Sequence, residues 1–476
     1  MDVAGGGNGA HRIAPMRRSA QRERSPAALP VRAWVTSRAG ARLDPAMDVA
    51  PLVEGSAATG ARICIDPSHR RQTLLGFGGA FTEAAAVALE RLPAAVRSEA
   101  LRAYFGPGGA GYTLCRTHIN SCDFALGNYA YSETPADHML AHFSIERDRQ
   151  RLIPLIRDAL QVATRPVRLL ASPWSPPAWM KTNGQMNHGG CLRPECRDTW
   201  ARYLARYLHA YAAEGLPLWG ITVQNEPEAA QKWDSCLYTG AQERDFIRDH
   251  LGPTLAREGL GDVRILAWDH NKDALERRAA DVFADPGAAR YTWGLGFHWY
   301  TGDHFEALDA VHARFPQAHL VFTEGCQEGG VKLGSWELGE RYGHAIIGDL
   351  NHWTEGWIDW NMVLDRQGGP NHVGNFCDAP IIADAERGTL HYQSAYFYLC
   401  HFSRFLPPGA VWVESRVEAC NLECVAARHP DGSLVAVVMN RGEREQPVRL
   451  ECRGAAYPTR LPAHAIATFV WEHAQA

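Results

Sequence analysis

No stretch of this 476-residue sequence approaches the ~20 consecutive apolar residues of a membrane-spanning helix. The first thirty residues, rich in Arg, Gly and Pro, also lack the apolar core of about 7–15 residues that a secretory leader carries. A soluble, cytoplasmic protein is expected, with residues 1–30 a disordered tail. Blocks of one charge are missing as well. Lys and Arg number 48 against 53 Asp and Glu, for a net charge of −5, which gives nucleic acid or an anionic membrane little to bind. The twelve cysteines are too scattered for a disulfide framework. Cys191/Cys196 and Cys420/Cys424 are close pairs, yet no second CxxC-like pair completes a zinc site, and His188 near Cys191 changes little. No metal or organic cofactor is expected. P-loop, G-x-S-x-G and H-E-x-x-H patterns are absent. Gly106–Gly111 does fit G-x-G-x-x-G. A helix-like segment precedes it and a strand follows, the reverse of the order a dinucleotide site requires.

What is present is a large apolar fraction, 46%, with 21% charged residues, enough to bury a sizeable core. Fifteen tryptophans are many for this length, and a buried Trp needs use for both its ring and its N–H. Eight strand-like runs alternate with amphipathic helical stretches. They begin at Leu74, Thr113, Val167, Leu218, Val263, Trp293, His319 and Gly356. In the helical stretch from Arg197, the residues Trp200, Leu204, Tyr207 and Tyr211 share one face. Eight such units over about 330 residues predict a (β/α)8 barrel at residues 71–407. After about residue 408 the rhythm changes to short strands and turns, with a hairpin signal at His429–Ser433. Strand-like runs from Val31 and Ala61 precede the barrel. Residues 31–70 and 408–476 are therefore expected to pair in one β-sandwich beside it.

Barrel enzymes carry their chemistry at the C-terminal ends of the strands. The fourth strand ends in Gln224-Asn225-Glu226-Pro227 and the seventh in Thr323-Glu324-Gly325. Two carboxylates projecting into one mouth are what a glycosidase needs, one to attack the anomeric carbon and one to protonate the leaving oxygen. The other strand ends supply rings and polar groups that suit a sugar: Asp123-Phe124, Ser172-Pro173-Trp174, His298-Trp299-Tyr300 and Asp359-Trp360-Asn361. Each of these tryptophans could equally be a core residue.

On these residues the sequence resembles glycoside hydrolase family 30, in the branch that contains the glucosylceramidases. The resemblance rests on GFGGAFTEAAA (76–86), SCDF (121–124), LLASPWSPPAWMKTNG (169–184), TVQNEPE (222–228), FHWY (297–300), TEGC (323–326), GWIDWN (356–361) and GGPNHVGNFCDAPII (368–382), in collinear order. It implies a barrel with a side β-sandwich built from both chain ends. It also implies Glu226 as general acid/base and Glu324 as nucleophile, with Asn225 on the sugar 2-hydroxyl. Asp123, Trp174, Trp360 and Asn375 resemble residues that hold the remaining hydroxyls, with Phe124 beside them. Tyr300 resembles a tyrosine that hydrogen-bonds the nucleophile, while Arg116 and His298 resemble supports behind the carboxylates.

The expectation is a retaining, exo-acting β-glucosidase of the glucosylceramidase type that acts on a small-molecule glycoside. The rivals are a β-xylosidase, β-fucosidase or β-1,6-glucanase of the same family, or a carbohydrate-binding protein without catalysis. The loops after Glu226 and Glu324 look shorter than in the glucosylceramidase branch, which leaves the aglycone open. The oligomeric state is not legible.

Overall fold

The computed structural model describes residues 31–52 and 60–472, so the expected tail at 1–30 lies outside the described residues. Eight parallel strands close into a barrel: β4 (Gly76–Phe81), β5 (Leu114–Ile119), β6 (Arg168–Pro173), β7 (Gly220–Thr222), β8 (Arg264–Asn271), β9 (Thr292–His298), β10 (His319–Glu324) and β11 (Gly356–Asn361). Each corresponds to one of the eight runs read from the sequence. The first begins two residues later than expected. Leu74 and Leu75 hydrogen-bond outward instead, to the carbonyls of Ala410 and Glu355. At Gly78 an added Cβ would lie 1.7 Å from the Leu114 carbonyl oxygen, so β4 meets β5 here only because the residue is glycine.

The barrel interior is filled in layers. Leu114, Leu170, Leu266, Val321 and Ile358, from five different strands, form a fully buried cluster. Strand side chains alternate, so the residues two positions further on point into the next layer up. Those residues are Arg116, Ser172, Trp268, Thr323 and Trp360, and all but Trp268, which a bulge in β8 turns outward, face the mouth. The helix Arg197–Ala213 covers the outside with Trp200, Leu204, Tyr207 and Tyr211, all buried. No helix among the described residues is long and apolar enough to cross a membrane.

The remaining large sheet draws on both ends of the described chain. Its strands are β1 (Val31–Ser37), β2 (Arg42–Val49), β3 (Ala61–Thr73), β15 (Val411–Val417), β16 (Leu422–Arg428), β17 (Leu434–Asn440), β18 (Gln446–Cys452), β19 (Ala455–Leu461) and β20 (Ala465–Trp471), in the order β19-β18-β3-β15-β16-β17-β20-β1-β2. The sheet curls over its own core, and Leu52, just past β2, donates to the Ala456 carbonyl of β19. The turn at His429–Ser433 joins β16 to β17 as an antiparallel hairpin. β3 runs on to Thr73, past the limit of 70 read from the sequence, because Arg70 and Thr73 are still paired with Val413 and Val411 of β15.

A feature absent from the sequence reading follows β11. Three short strands, β12 (Val363–Asp365), β13 (Ile381–Asp384) and β14 (Thr389–Tyr392), form a separate sheet. It anchors the segment 366–380, which carries Asn371, Asn375 and Cys377 to the barrel mouth.

Candidate active site

Strand geometry brings the sequence-derived residues to one rim. Arg116 of β5 is fully buried and holds four partners. Its Nη1 donates to Glu324 Oε2 at 2.5 Å, Nη2 to Asn225 Oδ1 and Asp269 Oδ2 at 2.8 Å each, and Nε to Ser172 Oγ at 2.9 Å. The Tyr300 hydroxyl donates to the other Glu324 oxygen at 2.9 Å. Across the mouth, His298 Nδ1 lies 3.4 Å from Glu226 Oε1, and its Nε2 lies 3.1 Å from Asp269 Oδ1. One carboxylate oxygen each from Glu226 and Glu324 and a ring nitrogen of His298 all fall within 4.8 Å of one another. Glu226 has φ +46°, a left-handed conformation that a non-glycine residue seldom adopts. Its backbone N–H is held by the Asp269 carbonyl at 3.0 Å.

Sequence reasoning missed Asp269. Counting by twos from Leu266 points Trp268 into the barrel. A register shift against β9 between Trp268 and His270 interrupts the count, and Trp268 and Asp269 both take positive φ, +71° and +54°. The bulge turns Trp268 outward, under the Arg278 guanidinium, and Asp269 inward. There Asp269 accepts from Arg116, His298, Thr222 and Thr323, the last two at 2.6 Å. Gly296 leaves the room, since a Cβ there would meet the Thr323 side chain at 2.9 Å. Burial acts to raise the Asp269 carboxyl, but Arg116 and His298 outweigh it and hold it well below the usual range. His298 is the converse: burial disfavours its charge, and Glu324, Asp269 and Glu226 together hold the ring up at about 9.

The cavity, about 150 Å³, is lined by Asp123, Phe124, Trp174, Asn225, Glu226, Tyr300, Glu324, Trp360 and Asn375, the expected residues. Arg116 and His298 sit beneath it. Trp174 stacks on Trp360 with ring centres 5.0 Å apart, and Phe124 meets Trp360 edge-on at 6.0 Å. Arg116 lies under the Trp174 ring at 4.7 Å. Trp299, by contrast, packs below the rim against Phe322, Tyr342 and Trp357. Asn375 and Asn371 both direct their amide N–H groups to Asp123 Oδ2, at 3.0 and 3.2 Å. Burial pushes Asp123 up to about 7, and those two donors only partly offset it. The cavity also takes in Gln231, Trp233, His270, Asn271, Cys326, Glu328 and Cys377, to which the sequence reading gave no role in the site. The Glu226, His298 and Glu324 atoms are close enough to ligate a metal ion. However, Arg116 and His298 already set two cationic side chains against these carboxylates and disfavour a further cation. All twelve cysteines are unpaired thiols.

Residues 74–406 match the glycosyl hydrolase family 30 TIM-barrel domain, and residues 409–469 match the glycosyl hydrolase family 30 beta sandwich domain. The chain belongs to glycoside hydrolase family 30. It is similar to the lysosomal acid glucosylceramidase of Mus musculus, 38% identical over 92% of this chain and 88% of that protein. The solved structure of SrfJ from Salmonella typhimurium superposes with a TM-score of 0.89 at 38% identity, over 94% of this chain and all of that one. An endo-β1,6-glucanase superposes with a TM-score of 0.84 at 25% identity, again over 94% of this chain and all of that one. The protein is thus a glycoside hydrolase of family 30, and its carboxylate pair lies at the barrel face where such folds carry their chemistry.

Proposed function

We propose that this family 30 enzyme is a retaining, exo-acting β-glucosidase of the glucosylceramidase type. The observation that carries the reading is the asymmetric carboxylate pair. The short approach of Glu226 to Glu324 suits direct attack by one carboxylate. Inverting enzymes instead space theirs by roughly 6.5–9.5 Å to admit a water. Both Glu324 oxygens receive donors, from Arg116 and Tyr300, whereas Glu226 has only the 3.4 Å contact with His298.

Burial raises both carboxyls. His298 and His270 then bring Glu226 below its ordinary value, while Glu324 stays above its own in spite of His298 and Arg116. That ordering places the pair's proton on Glu324. The hydrogen bonds favour the charged form instead, because Arg116 can only donate to Oε2 and the Tyr300 hydroxyl donates to Oε1. We assign the labile proton to the His298–Glu226 contact, from which Glu226 can take it up for transfer. Glu324 then attacks the anomeric carbon as Glu226 delivers the proton to the leaving oxygen. In the second step Glu226 takes a proton from the water that releases the sugar. In this reading Asn225, anchored through its Oδ1 by Arg116, binds the sugar 2-hydroxyl beside the reacting carbon. Asp123, Trp174, Trp360 and Asn375, which line the same cavity, hold the rest of the ring in this reading. A small cavity closed by stacked tryptophans supports removal of a single terminal sugar, and the 38% identity to a glucosylceramidase supports glucose on a lipid or other aglycone.

The test is inactivation by 2-deoxy-2-fluoro-β-glucosyl fluoride followed by peptide mapping. The label is expected on Glu324; finding it on Glu226 or Glu328 overturns the assignment. The endo-β1,6-glucanase similarity favours a second reading, β-1,6-glucan cleavage. Faster turnover of β-1,6-linked gluco-oligosaccharides than of aryl β-glucosides replaces the first reading with the second.

A further inference from the structure

The glycine loop that imitates a dinucleotide motif has a different setting. Gly106, Gly108, Gly109 and Gly111 form one wall of a cavity of about 360 Å³ at the seam between barrel and sandwich, remote from the carboxylate pair. The other walls carry three arginines, Arg32, Arg165 and Arg404, and an apolar face that includes Trp34, Phe405 and Val470. Trp34 and Phe405 pack with ring centres 4.8 Å apart. At Gly108, with φ +75°, an added Cβ would meet nothing within 4 Å, so the absence of a side chain here keeps space open and relieves no clash.

The charges of this cavity do not balance. Arg32 is paired with Glu472 at 3.2 Å and lies over the Trp34 ring. Among the described residues, Arg165 and Arg404 have no carboxylate within ion-pair distance. Arg165 lines the cavity with one long contact of its own, from Nη2 to the Arg404 carbonyl at 3.5 Å. Burial holds its guanidinium below the ordinary value, with no anion to offset the cost. The single acid in the wall, Asp431, is already engaged by His429 and by the backbone and hydroxyl of Ser433. A half-buried guanidinium without a carboxylate partner is costly, and a planar five-donor fork matches a phosphate oxyanion.

We propose that this seam cavity is a second ligand site that takes a phosphate-bearing small molecule. Arg165 and Arg404 grip the oxyanion, and the face of Trp34, Phe405 and Val470 receives the organic part. The occupant contacts residues 106–111 and 164–165 of the barrel and residues 32–34 and 429–435 of the sheet at once, so it ties the two together without touching the carboxylate pair.

The probes are inorganic phosphate and phenyl phosphate, titrated by calorimetry and by thermal unfolding at constant ionic strength. Both are expected to bind and to raise Tm, with phenyl phosphate the tighter. Arg165→Gln and Arg404→Gln should each weaken binding about 10–100-fold, the loss of one charge-assisted hydrogen-bonded contact. Aryl-glycoside turnover should stay unchanged, because neither residue is near Glu226 or Glu324. Direct titration of the wild type stands even if a variant fails to fold. No binding at millimolar phosphate, or undiminished binding in both folded variants, overturns the proposal.

Discussion

Arg116 donates to Glu324 Oε2 at 2.5 Å from the same guanidinium that holds Asn225 and Asp269. One buried cation therefore fixes a carboxylate at the end of β10 relative to an amide at the end of β7. With Tyr300 on the other oxygen, Glu324 is pinned as an acceptor, and the reactivity of the site is set by these donors.

Tyr300→Phe removes the 2.9 Å hydrogen bond to Glu324 and leaves the ring in place. A bond to a charged acceptor contributes about 1.5–3 kcal/mol, so kcat/KM for an aryl β-glucoside should fall about 10–150-fold. Thermal unfolding should move little. Wild-type activity in the variant removes Tyr300 from the mechanism.

Glu226→Ala should spare first-step chemistry on a dinitrophenyl glucoside, whose leaving group needs no proton. Alkyl glucosides should slow by about 10²–10⁴-fold, the usual contribution of a positioned acid. Added azide should rescue the activated substrate and give the β-glucosyl azide. Equal losses on both substrates without rescue assign the acid elsewhere.

Asn375→Ala deletes one of the two donors on Asp123 Oδ2. Asp123 is already pushed up to about 7 by burial, and losing a donor to its charged form raises it further. The ionised form is then populated only at higher pH. Activity on an aryl β-glucoside should drop most below about pH 7 and recover as pH rises, and the preference over the xyloside should erode. A deficit independent of pH and equal for both sugars contradicts this linkage.

His344 bridges two carboxylates at the seam, with Nδ1 2.8 Å from Glu423 of β16 and Nε2 3.0 Å from Asp303. Arg441 also pairs with Glu423. The Glu423 bond, opposed by burial and helped by Asp303, raises the imidazole pKa, and the Glu423 carboxyl is lowered in return by His344 against its own burial. A raised histidine stabilises fully below its unfolded value of about 6.5 and loses that contribution as pH climbs through the folded value. The lowered Glu423 loses its share only in acid. The Tm advantage of wild type over His344→Asn should therefore be larger near about pH 6 than near about pH 9. An advantage that grows with pH refutes the clamp.

The sequence by itself determined the eight barrel strands, the side sheet drawn from both ends, and the two glutamates at the ends of β7 and β10. These are local patterns: an apolar run closed by polar residues encodes a strand and its C-terminal end within about ten positions. Period-two counting even places Arg116 and Trp360 one layer above Leu114 and Ile358. The same counting fails at Asp269, because a bulge depends on how β8 pairs with β9 and reverses which residue faces inward. The tertiary structure alone decided that Asp269 joins Arg116 to His298, and that Asn375 reaches Asp123 across 252 positions. It also decided that Arg165 and Arg404 share a cavity with Gly108. These relationships arise from closing the barrel and folding the sheet against it, which bring together side chains whose sequence neighbours carry no record of one another.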